Sequence, residues 1–222
     1  MNRNIAIDGP AGAGKSTIAK LVAKQEKLVY VDTGAMYRAM GIYFSRLGAD
    51  PADEDAITAQ VDGADITIKY ENDAQQVYLN GENVTGLLRT EEAGNMASKV
   101  SKNGAVRKKM VELQQKLAQT TAVVMDGRDI GTVVLPDALL KIYLTASVEV
   151  RAMRRYKELV EKGEQCDLKA IEADIAERDH QDMTREISPL KQADDAVLVD
   201  SSYMTIEEVV KAITDLYKER LA

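Results

Sequence analysis

The sequence predicts an α/β fold in three layers, with helices on both faces of a central parallel sheet and a small antiparallel β insert. Three observations predict it. Apolar strand-like runs at residues 4–8, 28–32, 122–126, 140–144 and 196–200 are separated mostly by helical patterns, the alternation that builds a parallel sheet. The run Gly9, Pro10, Ala11, Gly12, Ala13, Gly14, Lys15, Ser16, Thr17 lies between the first of these and the helical pattern at 18–24, the strand-loop-helix context of a phosphate-binding P-loop. Residues 65–84 interrupt the alternation: Ile66-Thr67-Ile68 alternates, residues 71–73 can turn, and Val77-Tyr78-Leu79 runs into Asn80-Gly81, a strong hairpin signal.

Each element carries its own chemistry. The glycine-rich turn after Asp8 lets successive backbone N–H groups converge on phosphate oxygens at a helix N-terminus. Lys15 adds a mobile positive charge and the Ser16 hydroxyl is placed to ligate Mg²⁺, so residues 9–17 imply nucleoside triphosphate binding. The second run leads into Thr33, which marks a helix start, with Arg38 about one turn further in. That geometry suits a second phosphate, and a simple N-cap with a surface arginine is the plainer alternative. Thr90 before Glu91 and Glu92 marks another helix start.

The third run ends on Asp126, followed by Gly127-Arg128-Asp129. A carboxylate at this strand end is where P-loop proteins reach the Mg²⁺ shell, here through water, and Arg128 and Asp129 would project into the same cleft. A structural Asp-Gly turn is the alternative. Arg151, Arg154 and Arg155 cluster on the next helical pattern, although Arg154 and Glu158 are also spaced to pair on a solvated face. Arg178, Asp182 and Arg185 recur at about one helical turn and fall near one face of 167–185, a pattern that helical salt bridges also produce. Thr205 with Glu208 reads as a capping box opening the last helix.

A length of 222 residues suits one main domain with an insert. The net charge of -7 argues against a general nucleic-acid-binding surface. One cysteine, Cys166, excludes an internal disulfide and suits a reducing cytosol. The P-loop follows the first strand so closely that no leader is expected, and no apolar run approaches membrane-spanning length. A cytoplasmic protein without nucleic-acid or membrane partners is expected, and a monomer, since no heptad seam is visible.

His180 is the only histidine, and neither a zinc site nor a catalytic triad assembles around it. If the acceptor is itself a phosphate, its oxygens are ionised near neutral pH because the second pKa is ~6, and no general base is required. Catalysis then reduces to positioning and charge neutralisation. Two phosphates at ~4 Å repel by ~4 kcal/mol per charge pair at an effective dielectric of ~20, which calls for Mg²⁺, Lys15 and several arginines together.

These residues resemble the bacterial cytidylate kinases, which phosphorylate CMP and dCMP with ATP and belong to the P-loop nucleoside monophosphate kinases. The resemblance spans essentially the whole chain. It rests on residues 9–17, on 32–38, on Leu88-Arg89-Thr90-Glu91, on the Ser98 and Arg107 region, and most specifically on Asp126-Gly127-Arg128-Asp129-Ile130-Gly131-Thr132-Val133-Val134. It continues through Glu177-Arg178-Asp179, Asp182, Arg185 and Pro189-Leu190. The resemblance implies that Thr33, Arg38 and Arg128 hold the CMP phosphate, that Arg178 and Asp182 hold the sugar, and that Ser98, Arg107, Asp129 and Arg185 surround the cytosine. It likewise implies a monophosphate-binding insert at 63–87 and a helical lid with substrate-contacting helices at 147–185, on a core of 1–62, 88–146 and 186–222. The lid segment around 151–163 would cover ATP through Arg154 and Arg155. Lys15, Asp126, Arg128 and Arg155 form the expected catalytic set, and Ser16 with Asp126 the expected Mg²⁺ site. Thr33 stands where serine is common in the family and retains the hydroxyl.

Two other readings compete: a kinase for another nucleoside monophosphate, and a nucleotide-dependent switch NTPase. The chain contains no Asn-Lys-x-Asp guanine-reading sequence, and a second phosphate-holding set of arginines has no purpose in a switch.

Overall fold

The computed structural model describes residues 3–71 and 74–222. In chain order the elements are β1 (Ile5–Asp8), α1 (Lys15–Glu26), β2 (Val29–Asp32), α2 (Thr33–Arg46), α3 (Glu54–Gln60), β3 (Ile66–Glu71), β4 (Ala74–Leu79), β5 (Glu82–Asn83), α4 (Glu91–Val100) and α5 (Gly104–Thr120). They continue with β6 (Val123–Gly127), β7 (Leu140–Thr145), α6 (Val148–Glu161), α7 (Leu168–Thr184), β8 (Val197–Asp200) and α8 (Ile206–Leu221). Two compact units result, Met1–Tyr30 with Thr121–Ala222, and Val31–Thr120, the chain leaving the first within β2.

The first unit is organised by a five-stranded parallel sheet in the order β2-β6-β1-β7-β8. Its register places Asp8 beside Gly127 on one side and Tyr143 on the other, so the loops after β1, β6 and β7 leave from one edge, where ligands of such sheets gather. Central strand β1 is buried at every position, which is why its sequence reads as a continuous apolar run rather than an alternation. Helix α1 turns Ile18, Ala19, Val22 and Ala23 onto the sheet, and α8 turns Val209, Val210, Ile213 and Tyr217 into the same core. Both stripes follow the helical repeat. The Tyr217 hydroxyl is satisfied by the Arg3 carbonyl at 2.9 Å, so this fully buried ring leaves no polar atom orphaned.

The second unit packs α2 against α4. A Cβ on Gly41 would stand 2.8 Å from both the Ala93 carbonyl oxygen and the Ala97 nitrogen, so glycine permits this approach of the two backbones. An antiparallel sheet β3-β4-β5 completes the unit, with Ile66 opposite Leu79 and Ile68 opposite Val77. Asn80 and Gly81 turn between β4 and β5 with φ of 50° and 84°, the left-handed pair that a two-residue hairpin requires. The expected turn at 71–73 includes Asn72 and Asp73, which lie outside the described residues.

One helix start differs from the sequence expectation. The N-cap of α2 is Asp32, whose side chain accepts from the Ala35 N–H at 2.9 Å, and Thr33 is already the first helical residue. Asp and Thr are both good caps, and the aspartate at the strand end takes the position. Thr90 and Thr205 do cap α4 and α8, the latter with the full capping box to Glu208.

Candidate active site

The loop from Gly9 to Gly14 crosses from β1 to α1. Gly9 has a φ of 150°, and a Cβ there would overlap the Leu144 carbonyl oxygen of β7, so only glycine allows the chain to turn this close to the sheet. Gly14 is the N-cap of α1 and offers no side-chain cap. The first N–H groups of the helix are therefore left for an anion, at its positive dipole end. Pro10 and Ala13 are buried, Ala11 is half-buried, and Gly12 and Thr17 are exposed.

Lys15 is 6% exposed and its ammonium donates to the Pro10 carbonyl at 2.7 Å, bridging the loop. Burial, and after it the Arg128 charge, push its pKa well below the ordinary lysine value, while Asp126, Asp8 and Asp182 oppose the shift. Lys15 therefore shares one electrostatic environment with Arg128, Asp126 and Asp182. The neighbouring Ser16 hydroxyl donates to Asp126 Oδ2 at 2.8 Å, and Tyr30 donates to Asp126 Oδ1 at 2.9 Å. A hydroxyl and a carboxylate side by side form an oxygen-donor pair that suits a hard divalent cation sharing phosphate oxygens. Among the described residues, no group of three or more His, Cys, Asp or Glu is placed to hold a metal by itself.

After β6 the chain forms a π-helical turn at Ile130–Val134, entered from the buried Asp129. Asp8 fixes this turn: its Oδ1 accepts from the Ile130 N–H and its Oδ2 from the Gly131 N–H, both at 2.7 Å. Burial raises the Asp8 carboxyl to about 6 even though both N–H groups and the Lys15 charge favour the ionised form. The chain segment bearing Arg128 and Asp129 is thereby bolted to the strand that leads into the P-loop.

Helix α7, capped by Asp167, presents the third cluster. Asp182 accepts from Arg128 Nε at 2.7 Å and lies 3.6 Å from an Arg185 terminal nitrogen, while Arg185 Nε donates to the Ser188 carbonyl at 2.6 Å. Burial alone would raise the Asp182 carboxyl, but Arg128, Arg185 and the exposed Arg178 outweigh it and hold it below the ordinary value. The arginines of α6 are dispersed. Arg154 donates to the Ser201 carbonyl at 2.7 Å and Arg155 to Glu158 at 3.3 Å, so Glu158 pairs with Arg155 and not with Arg154. Arg151 is the arginine of this helix that reaches the P-loop, donating to the Ala11 carbonyl at 2.8 Å.

In the second unit, buried Thr33 opens α2, and the Arg38 guanidinium folds back so that one nitrogen lies 3.5 Å from the position of a Cβ on Gly34. A hydroxyl and a guanidinium thus gather at a helix N-terminus. Gln75 of β4 accepts from the Asp32 N–H at 2.8 Å, tying the small sheet to this entrance. Arg107 is 3% exposed, donates to the Ser101 carbonyl at 3.2 Å and stands 5.7 Å from the Tyr37 ring centre, a cation–π distance. Ser98 is exposed on α4.

The cytidylate kinase family profile matches residues 5–219. The chain belongs to the cytidylate kinase family. A cytidylate kinase of Caldicellulosiruptor saccharolyticus is 50% identical over 214 residues, covering 96% of this chain and 95% of that protein. The cytidylate kinase of Lactobacillus johnsonii is 50% identical over 216 residues, covering 97% of this chain and 94% of its own. The fold is shared more widely: the crystal structure of an uncharacterized protein from Eubacterium ventriosum superposes with a TM-score of 0.51 at 11% identity, covering 97% of both chains.

Residue spacing does not reveal the clamp made by Asp8, the hydroxyl that Tyr30 offers Asp126, the Tyr37 ring beside Arg107 or the pairing of Arg151 with Asp179. Asp8 did carry a signal, since it is an aspartate at the end of a fully apolar strand, immediately before the P-loop. Among the described residues no helix is long and apolar enough to cross a membrane.

Proposed function

We propose that this chain transfers the γ-phosphoryl group of ATP to the phosphate of CMP and dCMP, giving CDP and dCDP. One observation carries the reading. Beside the P-loop, whose Ser16 bonds Asp126 at 2.8 Å, Arg128 is held by the Asp182 carboxylate at 2.7 Å and acts electrostatically on Lys15, so a donor-phosphate group is accompanied by a second, pre-aimed guanidinium. In a protein that only hydrolyses or senses a triphosphate, the second basic set has no charge to hold.

A phosphate oxygen of CMP attacks the γ-phosphorus of ATP, the bond from that phosphorus to the β,γ-bridging oxygen breaks, and ADP leaves with the bridging oxygen. The attacking oxygen is already ionised near pH 7, so no side chain need take a proton. Residues 9–17 cradle the donor phosphates through backbone N–H groups, and Lys15 moves from the Pro10 carbonyl to follow the migrating charge. Thr33, Arg38 and Arg128 hold the acceptor phosphate, Arg178 and Asp182 the sugar, and Ser98, Arg107, Asp129 and Arg185 the base. Arg154 and Arg155 serve ATP, Arg155 at the transferring group, on exchanging their present partners Ser201 and Glu158. Ser16 and, through water, Asp126 would hold Mg²⁺, which when bound neutralises phosphate charge. The insert at 63–87 and the lid helices at 147–185 close over the nucleotides and exclude water. The protein acts as a cytoplasmic monomer on small-molecule substrates.

A monophosphate panel assayed with ATP and Mg²⁺ by coupled ADP release tests the reading. CMP and dCMP should give the fastest release. Faster turnover of another monophosphate would move the base assignment, and release independent of any monophosphate would replace the kinase by a hydrolase.

A further inference from the structure

Arg151 distributes its guanidinium among three elements. Nε donates to the Ala146 carbonyl after β7 at 2.8 Å, one terminal nitrogen donates to the P-loop carbonyl of Ala11 at 2.8 Å, and the two terminal nitrogens grip the Asp179 carboxylate of α7 at 3.1 and 2.5 Å. Its stem lies against the loop as well, since a Cβ on Gly12 would stand 3.4 Å from the Arg151 Cβ. Arg151 and Asp179 are 3% and 8% exposed. One turn beyond Asp179, the same helix holds Arg128 through Asp182.

A buried ion pair of this kind is weak support for stability, because desolvating both charges offsets most of their attraction. Its placement is more informative. A planar guanidinium fork fixes direction as well as distance, and α7 is an unbroken helix from Leu168 to Thr184, so a shift at Asp179 is carried to Asp182. We propose that Arg151 and Asp179 are positioning residues that set α7 against the P-loop, so that triphosphate on the loop places the helix that aligns CMP for transfer. The role for CMP rests on the function proposed above; the mechanical link between loop and helix does not.

The test compares wild type with Arg151→Lys, Asp179→Asn and the double variant Arg151→Met/Asp179→Ala. The double variant removes both charges together and so avoids stranding one in the interior; thermal unfolding identifies the variants that are folded. In the first arm, hydrogen exchange of 168–184 is followed with and without an inert ATP analogue and no monophosphate. Exchange should slow severalfold in wild type and respond little in the folded variants. The second arm separates kcat from KM: kcat should fall about 10²-fold while KM for CMP and for ATP moves less than about threefold, as expected when bound groups are misaligned. Arg151→Lys should rescue only partly, since one ammonium cannot span Ala11, Ala146 and Asp179. A wild-type helix that ignores the analogue, or a folded double variant with wild-type exchange response and kcat, would overturn the inference. Absence of CMP turnover in wild type would instead remove the functional reading, with the first arm still deciding the link.

Discussion

The Nε of Arg128 donates to Oδ2 of Asp182 at 2.7 Å, with the two side chains 21% and 18% exposed. The arginine is therefore aimed by a carboxylate of the protein itself, which lowers the ordering cost on binding. Arg128→Ala, and Arg38→Ala in the second turn of α2, should each lower kcat/KM for CMP by about 10²-fold or more, because charge-assisted bonds position the attacking oxygen. Asp182→Asn should cost less than Arg128→Ala, since it frees the arginine without removing it. Equilibrium binding of an ATP analogue should hardly change in these variants. Collapse of that binding with CMP binding intact would show that the two ends of the reaction have been exchanged.

Lys15 is desolvated and its pKa is held down, first by burial and next by Arg128. Triphosphate supplies the negative charge that restores the ammonium's advantage. Lys15→Ala should lower turnover by at least about 10²- to 10³-fold while thermal unfolding shows a folded protein, since the substitution removes a costly buried charge. Turnover at the wild-type rate in this variant would refute the role of the P-loop in phosphoryl transfer.

How far these features could be read from sequence depended on how local their causes are. The strand runs, the Thr205–Glu208 capping box and the Asn80-Gly81 turn depend on residues a few positions apart, and each lies where periodicity and cap chemistry put it. Asp32 and Thr33 show the limit of such rules, since two competent caps in succession leave the choice to backbone geometry. The clamp from Asp8 crosses 122 positions, and Arg151 reaches its partners across 28 and 140. Spacing within α6 gave Arg151, Arg154 and Arg155 equal standing, whereas burial and direction separate them.

Asp8 yields a pH prediction with a definite sign. Burial raises its carboxyl from 3.8 to about 6 in the folded protein, so between those values the folded state keeps a proton that the unfolded chain has released. Its contribution to stability is complete below 3.8 and is lost as pH rises through about 6. The difference in unfolding free energy between wild type and Asp8→Asn should drift across this window and level off above it. Ionised Asp8 offers both oxygens to the Ile130 and Gly131 N–H groups, so kcat/KM for CMP should fall on the acid side with an apparent pKa near that value. An unchanged acid limb in Asp8→Asn would assign the titration to another group.

Base choice follows from the pairing edge of cytosine, which offers an amino donor at C4 and acceptors at N3 and O2. Asp129, buried at the entrance to the clamped turn, is suited to accept from the amino group, while Arg107, Arg185 and Ser98 are suited to donate toward the acceptors. Uracil reverses the first two: its O4 would face the carboxylate and its N3–H a donor, at roughly 1 to 3 kcal/mol for each buried group left unpaired. CMP should therefore be preferred over UMP by at least about 10²-fold in kcat/KM, with ribose and deoxyribose forms both accepted. Asp129→Ala should narrow the ratio chiefly by losing activity on CMP, because the acceptor for the cytosine amino group disappears with the carboxylate. Equal use of CMP and UMP by the unmodified protein would show that these residues do not read the base.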